Sequence, residues 1–229
     1  MLAIIQSRMS SRRLPGKALM KVQGKTLIER VVARVSKSKY LTKIIVATSK
    51  NKTDLPLRKL CHKKKIECYA GSLTNVANRF LEVLNKFNSK SFLRISGDSP
   101  FIDPCLIDKC LIKFNTNNYD IVTNVLPRTF PIGQSVEIVK SSVFKKNLSK
   151  MKKKKYLEHV TKFFYENKNI FKINNITNNE NYSKFNMSVN TVNDIKKARN
   201  IYKKISYLSN RKIGWKKIIK KYYEKKIYK

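Results

Sequence analysis

The sequence predicts a three-layer α/β domain with a mostly parallel central sheet, and three observations lead there. Short apolar runs of strand length alternate with amphipathic stretches of helix length through the first two thirds of the chain. The strand runs are continuously apolar, as strands covered on both faces must be. Two polar, turn-forming loops leave such runs, at the strand ends where parallel sheets gather ligands.

The elements follow in order. Leu2 to Gln6 reads as a buried strand, and Thr26 to Val35 as a helix with Leu27, Ile28, Val31, Val32 and Val35 on one side. Lys43 to Thr48 is the next strand, Asp54 to Lys65 a helix, and Ile66 to Tyr69 a short strand. Thr74 to Phe87 is a helix that turns Val76, Phe80, Val83, Leu84 and Phe87 inward, and Ser91 to Ile95 is a strand. After the loop GDSPFIDP comes a helix from Pro104 to Phe114, with Asp103 as its cap and Pro104 in its first turn. The strand Tyr119 to Val125 follows.

The last third is less regular. Ser135 to Val139 and Phe185 to Val189 are expected as strands, and Ser141 to Leu148, Tyr156 to Tyr165 and Asn193 to Tyr207 as helices. The Asn-rich FKINNITNNENY reads as a hairpin or loop. Residues 1–209 form the expected domain and 210–229 a basic amphipathic tail. From Arg211 onward the tail carries nine basic residues and one acid, with Ile213, Trp215, Ile218, Ile219, Tyr222 and Tyr223 at helical spacing. Packing of that stripe on the domain is preferred over binding to a membrane surface or nucleic acid.

Composition bounds the function. At 229 residues with 41% hydrophobic content the chain supports one core. Its formal charge of +37 invites a nucleic-acid reading, but the excess is mostly Lys, spread over the whole chain and accompanied by many Asn and Ile. Coding bias is therefore the preferred explanation, and a basic RNA- or anionic-surface-binding module the disfavoured alternative. Cys61, Cys68, Cys105 and Cys110 match no zinc or disulfide pattern, and neither a signal peptide nor a membrane span is read, so a reducing cytoplasm is expected.

The loop SRMSSRRLPGKAL, residues 7–19, holds four basic side chains and no acid. Its glycine permits close approach of the backbone and its cations suit a polyphosphate. Neither a Walker A pattern nor G-x-G-x-x-G is present.

IIQSRMSSRRLPGKAL, followed in order by GKTLIERV, KIIVATS, YAGSLTNVANRF, RISGDSPFIDP, RTFPIGQSVEI, LEHVT and SVNTVND, resembles the spore-coat polysaccharide cytidylyltransferases and, more distantly, the enzymes that make CMP-activated sugar acids. The resemblance runs from Leu2 to about Ala198. It implies a Rossmann-like nucleotide-diphospho-sugar transferase fold, in which an acceptor hydroxyl attacks the α-phosphorus of CTP and pyrophosphate leaves. It further implies that Arg13 and Lys17 neutralise the departing pyrophosphate, with Ser11 and main-chain amides around Gly16 holding it. Gln6, Ser7, Arg8, Met9 and Gly97 would line the nucleotide pocket, and Asp98 would hold Mg²⁺. Arg79, Arg128 and His159 are the candidates for the acceptor, a small sugar-like molecule, and a homodimer is expected.

Three positions depart from the family pattern. Asn190 stands in SVNT where an aspartate would give a second metal carboxylate, and Ser135 and Asn75 replace other usual acids. A weaker enzyme, a one-carboxylate enzyme and an inactive CTP-binding relative all fit these departures.

Overall fold

The computed structural model describes residues 1–205 and 213–223. The strands are β1 (Leu2–Gln6), β2 (Lys21–Val22), β3 (Lys25–Thr26), β4 (Lys43–Ser49), β5 (Cys68–Gly71), β6 (Ser91–Ser96), β7 (Ile121–Thr123), β8 (Glu137–Lys140) and β9 (Ile173–Asn175). The helices are α1 (Leu27–Val35), α2 (Leu55–Lys63), α3 (Val76–Lys86), α4 (Pro104–Asn115), α5 (Ser141–Asn147), α6 (Lys154–Glu158), α7 (Lys162–Glu166), α8 (Val192–Ile205) and α9 (Trp215–Tyr222).

Seven strands form one sheet in the order β5-β4-β1-β6-β8-β7-β9, and β2 with β3 forms a separate antiparallel ribbon. The pairs β5-β4, β4-β1 and β1-β6 are parallel, β8 runs antiparallel to both β6 and β7, and β9 returns parallel to β7. The expected Rossmann-like three-layer α/β fold is what the chain adopts. Two apolar clusters lie on opposite faces of the sheet, one under α1, α2, α4, α8 and α9, the other under α3, α5, α6 and α7. β1 runs through the middle with Leu2 to Ile5 buried, which explains its unbroken apolar run. Thr26 and Glu29 form a reciprocal capping box that starts α1, satisfying amides the first turn leaves free.

Three expectations in the last third are corrected. Phe185 to Val189 is not a strand: it makes a single bridge, Ile132 to Asn186, and its end donates Val189 N–H to the Asp98 carbonyl at 2.8 Å. The segment Tyr156 to Tyr165 breaks into α6 and α7 at His159, whose ψ of 82° leaves helical geometry. That break brings the Thr161 hydroxyl to Glu137 at 2.5 Å, a partner helical periodicity could not reveal. The Asn-rich stretch contains β9, an edge strand too short and too polar to register as one.

The expected boundary between residues 209 and 210 lies outside the described residues. Beyond it, Trp215 stacks edge-on against Phe130 and Tyr182, while Ile218 and Ile219 are buried. Each such Ile contributes about 1.5–3 kcal/mol on burial. Asp103, the cap of α4, also takes the Trp215 N–H at 3.0 Å, and a side chain at Gly214 would collide with that carboxylate. The aromatic stripe of the tail is thus spent on packing.

Candidate active site

The carboxyl ends of β1 and β6 lie side by side, with Gln6 opposite Ser96. Gly97 N–H donates to the Gln6 carbonyl at 2.8 Å, and a Cβ at Gly97 would stand 2.7 Å from that of Ser7, so only glycine fits. Above this junction lies a cavity of about 330 Å³. Of the residues expected at the site, Gln6, Ser7, Arg8, Ser11, Arg13, Lys17, Arg79, Gly97, Asp98, His159 and Asn190 line it.

The basic loop is shaped from within. Met9 carbonyl accepts from Ser11 N–H at 2.9 Å and from Gly16 N–H at 2.8 Å, with Gly16 at φ 74°, a conformation other residues adopt only with strain. Met9 N–H donates to Asp54 Oδ1 at 2.7 Å, and the second oxygen of that buried carboxylate takes Ser49 N–H at 3.1 Å and the Ser49 hydroxyl. One aspartate therefore moors the loop to the end of β4. This corrects one expectation: the amides of Gly16 and Lys17 are committed to the carbonyls of Met9 and Leu14, so the loop offers side chains rather than these amides to a ligand. Met9 and Gly16 build the loop and do not line the cavity.

Lys17 Nζ is the centre of the site. It donates to Asp98 Oδ2 at 3.0 Å, Val189 carbonyl at 2.8 Å and Asn190 Oδ1 at 3.0 Å. The Asn190 amide is oriented by its own Nδ2 donation to Ser188 Oγ at 2.8 Å. Three oxygens thus converge on one lysine ammonium, and oxygens of this type are ones that could hold a hard divalent ion. No described residue pairs with Arg12 or Arg13 on the same loop.

Arg79 is 1% exposed. Its Nε meets Ser72 carbonyl at 2.9 Å, and its other nitrogens reach the carbonyls of Leu73 and Ala47, so it braces the turn from β5 into α3 and touches the cavity with what remains. Burial lowers its pKa to about 10. Arg128 does not line the cavity: its fork closes on Ser135 Oγ at 2.9 Å and the Pro131 carbonyl at 3.5 Å. Ser135, one of the departures, thus serves as its partner, and Asn75, another, caps α3 by accepting from Asn78 N–H at 2.8 Å.

The structure also places Arg12, Arg94, Ser96 and Glu158 on the wall, none of them singled out from the sequence. Arg8 and Glu158 pair across the cavity at 2.9 Å. Arg94 is ion-paired to Glu137 on β8, and Arg94 Nε donates to Gln6 Oε1 at 3.3 Å. Glu137 also accepts from Thr161 at 2.5 Å and Tyr165 at 2.7 Å. Burial alone would push the Glu137 carboxyl up, but Arg94 and these hydroxyls more than offset it and hold it below the usual carboxylate range. A charge inside the apolar runs SFLRIS and SVEIV was the available signal, since a buried charge demands a partner.

A profile of the cytidylyltransferase family matches residues 2–228. An uncharacterized protein of Methanocaldococcus jannaschii is 34% identical over 172 residues, 75% of this chain and 70% of that one. The spore coat polysaccharide biosynthesis protein SpsF of Bacillus subtilis is 28% identical over 211 residues, 89% of this chain and 86% of its own. Among solved structures, a cytidylyltransferase from Leptospira borgpetersenii superposes with a TM-score of 0.89 at 26% identity, covering 95% of this chain and 91% of that one. With a match across nearly its whole length, a shared fold and an arginine- and lysine-lined cavity at the strand ends, the chain belongs to the cytidylyltransferase family.

Proposed function

We propose that the protein transfers CMP from CTP to a sugar acid or related small hydroxylated acceptor, with release of pyrophosphate, in surface-polysaccharide synthesis. The supporting observation is one cavity that joins Arg12 and Arg13, which no described residue pairs, to the oxygen cluster of Asp98, Val189 and Asn190 around Lys17. The acceptor hydroxyl oxygen forms a bond to the α-phosphorus as its proton passes to solvent, and the bond from that phosphorus to the bridging oxygen breaks, its electron pair leaving with pyrophosphate. Arg13 and Lys17 neutralise the charge that builds on the departing pyrophosphate. Asp98 and the oxygens of Asn190 and Val189 would hold Mg²⁺, with Lys17 turned toward the phosphates. Bound there, the ion supplies charge neutralisation between nucleophile and triphosphate. Gln6, Ser7 and His159 line the same cavity; in this reading Gln6 and Ser7 lie beneath the base and ribose and His159 contacts the acceptor.

A second reading, CTP binding with weak or no turnover, has one observation in its favour. The oxygen cluster carries a single carboxylate and is already satisfied by the lysine ammonium, so a divalent ion gains less by displacing it. Incubation with CTP, Mg²⁺ and a panel of sugar acids, followed by pyrophosphate release and CTP calorimetry, separates the two. Release with an acid supports transfer, binding without release supports the second reading, and neither discards both. The same reading places the protein in the cytoplasm as a homodimer, with the Phe171 to Tyr182 segment in the contact, which sedimentation tests. No helix among the described residues is long and apolar enough to cross a membrane.

A further inference from the structure

The cavity has two unlike walls. On the loop wall Arg12 and Arg13 carry charge that no described residue matches, as a polyphosphate requires. The opposite wall, where β6 meets β8 and α6, has its charges already met: Arg94 pairs with Glu137 within it, and its Glu158 takes Arg8 from the loop across the cavity. Within it the Arg94 guanidinium is aimed. Glu137 holds its Nη1, Gln6 Oε1 holds its Nε at 3.3 Å, and no described residue takes Nη2, while the side chain lines the cavity. Glu137 is itself saturated by Thr161 and Tyr165, so it acts on Arg94 and not on a ligand. Arg79, braced on the turn from β5 into α3, stands apart from that wall, its hydrogen bonds all spent on carbonyls. The wall between β6 and β8 therefore presents one preset donor, Arg94 Nη2.

We propose that Arg94 contacts the acceptor, binding its carboxylate through Nη2, and that Glu137 is the positioning residue that presents it. The inference rests on the cytidylyl transfer proposed above. A fixed, charge-assisted donor discriminates a carboxylate from its neutral analogue by about tenfold to a hundredfold.

The test pairs each sugar acid of the panel with its carboxamide and compares the native protein with Arg94→Lys, which keeps the charge and loses the fork, and with the double Arg94→Gln, Glu137→Gln variant, which removes both buried charges together. Thermal melts confirm that each variant folds. In both variants KM for the acid should rise at least tenfold, KM for the carboxamide and kcat should move little, and CTP affinity should stay within about twofold, whereas Arg13→Ala weakens CTP. An equal loss for acid and carboxamide, or a CTP loss like that of Arg13→Ala, overturns the proposal. Should the native protein bind CTP yet release no pyrophosphate with any acid, the transfer reading fails separately. Saturation-transfer NMR with the same acids then decides: contact that the double variant loses supports Arg94, and no contact with the native protein overturns it.

Discussion

The loop after β1 and the wall between β6 and β8 both present arginine to the cavity, and they use it oppositely. The loop leaves Arg12 and Arg13 without a partner among the described residues, because it draws its shape from backbone bonds to Met9 carbonyl and from a single buried carboxylate, Asp54. The wall spends its charges on pairing: Glu137 fixes the direction of Arg94, and Glu158 takes Arg8 from the loop. Free cations suit a flexible polyphosphate, while a paired guanidinium offers a donor of fixed direction. The difference separates a region built for charge from a region built for geometry.

The largest effect should come from stripping the loop. Arg13→Ala with Lys17→Ala is expected to lower kcat/KM for CTP about 10³-fold or more, read by pyrophosphate release, because developing charge on the leaving group loses two partners. Breaking the wall comes next. Glu137→Gln leaves Arg94 buried and unpaired, for a loss of about 3 kcal/mol in urea unfolding at neutral pH. Because the folded Glu137 carboxyl lies below its ordinary 4.5, this contribution is complete above that pH and fades as acid titrates the folded group, so native and variant stabilities should converge below it. Asp54→Asn should cost about 2 kcal/mol and weaken CTP binding together, since it unmoors Met9 and Ser49 at once.

Asn190→Asp tests the cation centre. Adding a carboxylate beside Asp98 should tighten Mg²⁺ about tenfold in a metal titration with CTP present, and an unchanged affinity would place Asn190 outside the metal's reach. The smallest effect sharpens the contrast: Arg8→Ala removes a pair whose side chains are 31% exposed, and should alter stability by less than about 1 kcal/mol.

Particular residues show how far the sequence could be read. The strands Leu2–Gln6 and Lys43–Ser49 and the helices α1 and α3 were legible because burial on one or both faces imposes a local period on their side chains. Lys17 and Asp98 were legible through the motifs that carry them. Arg128 lies off the cavity wall because its partners, Pro131 and Ser135, are set by the turn around Gln134 rather than by its own type. Asp54 was read only as the first residue of a helix, and nothing nearby in the chain announces that it reaches Met9.

By itself the sequence determined the alternation of strands and helices, the family, and the presence of a cationic loop at the end of the first strand. All of these are encoded by neighbours along the chain, through periodicity, turn chemistry and motif order. Only the tertiary structure decided which charges meet. Lys17 reaches Asn190 across 173 positions, Arg8 reaches Glu158 across 150, and Arg94 reaches Glu137 across 43 through the antiparallel register of β6 and β8. Pairing of that kind depends on distance and on exclusion of water, quantities that exist only once the sheet has closed.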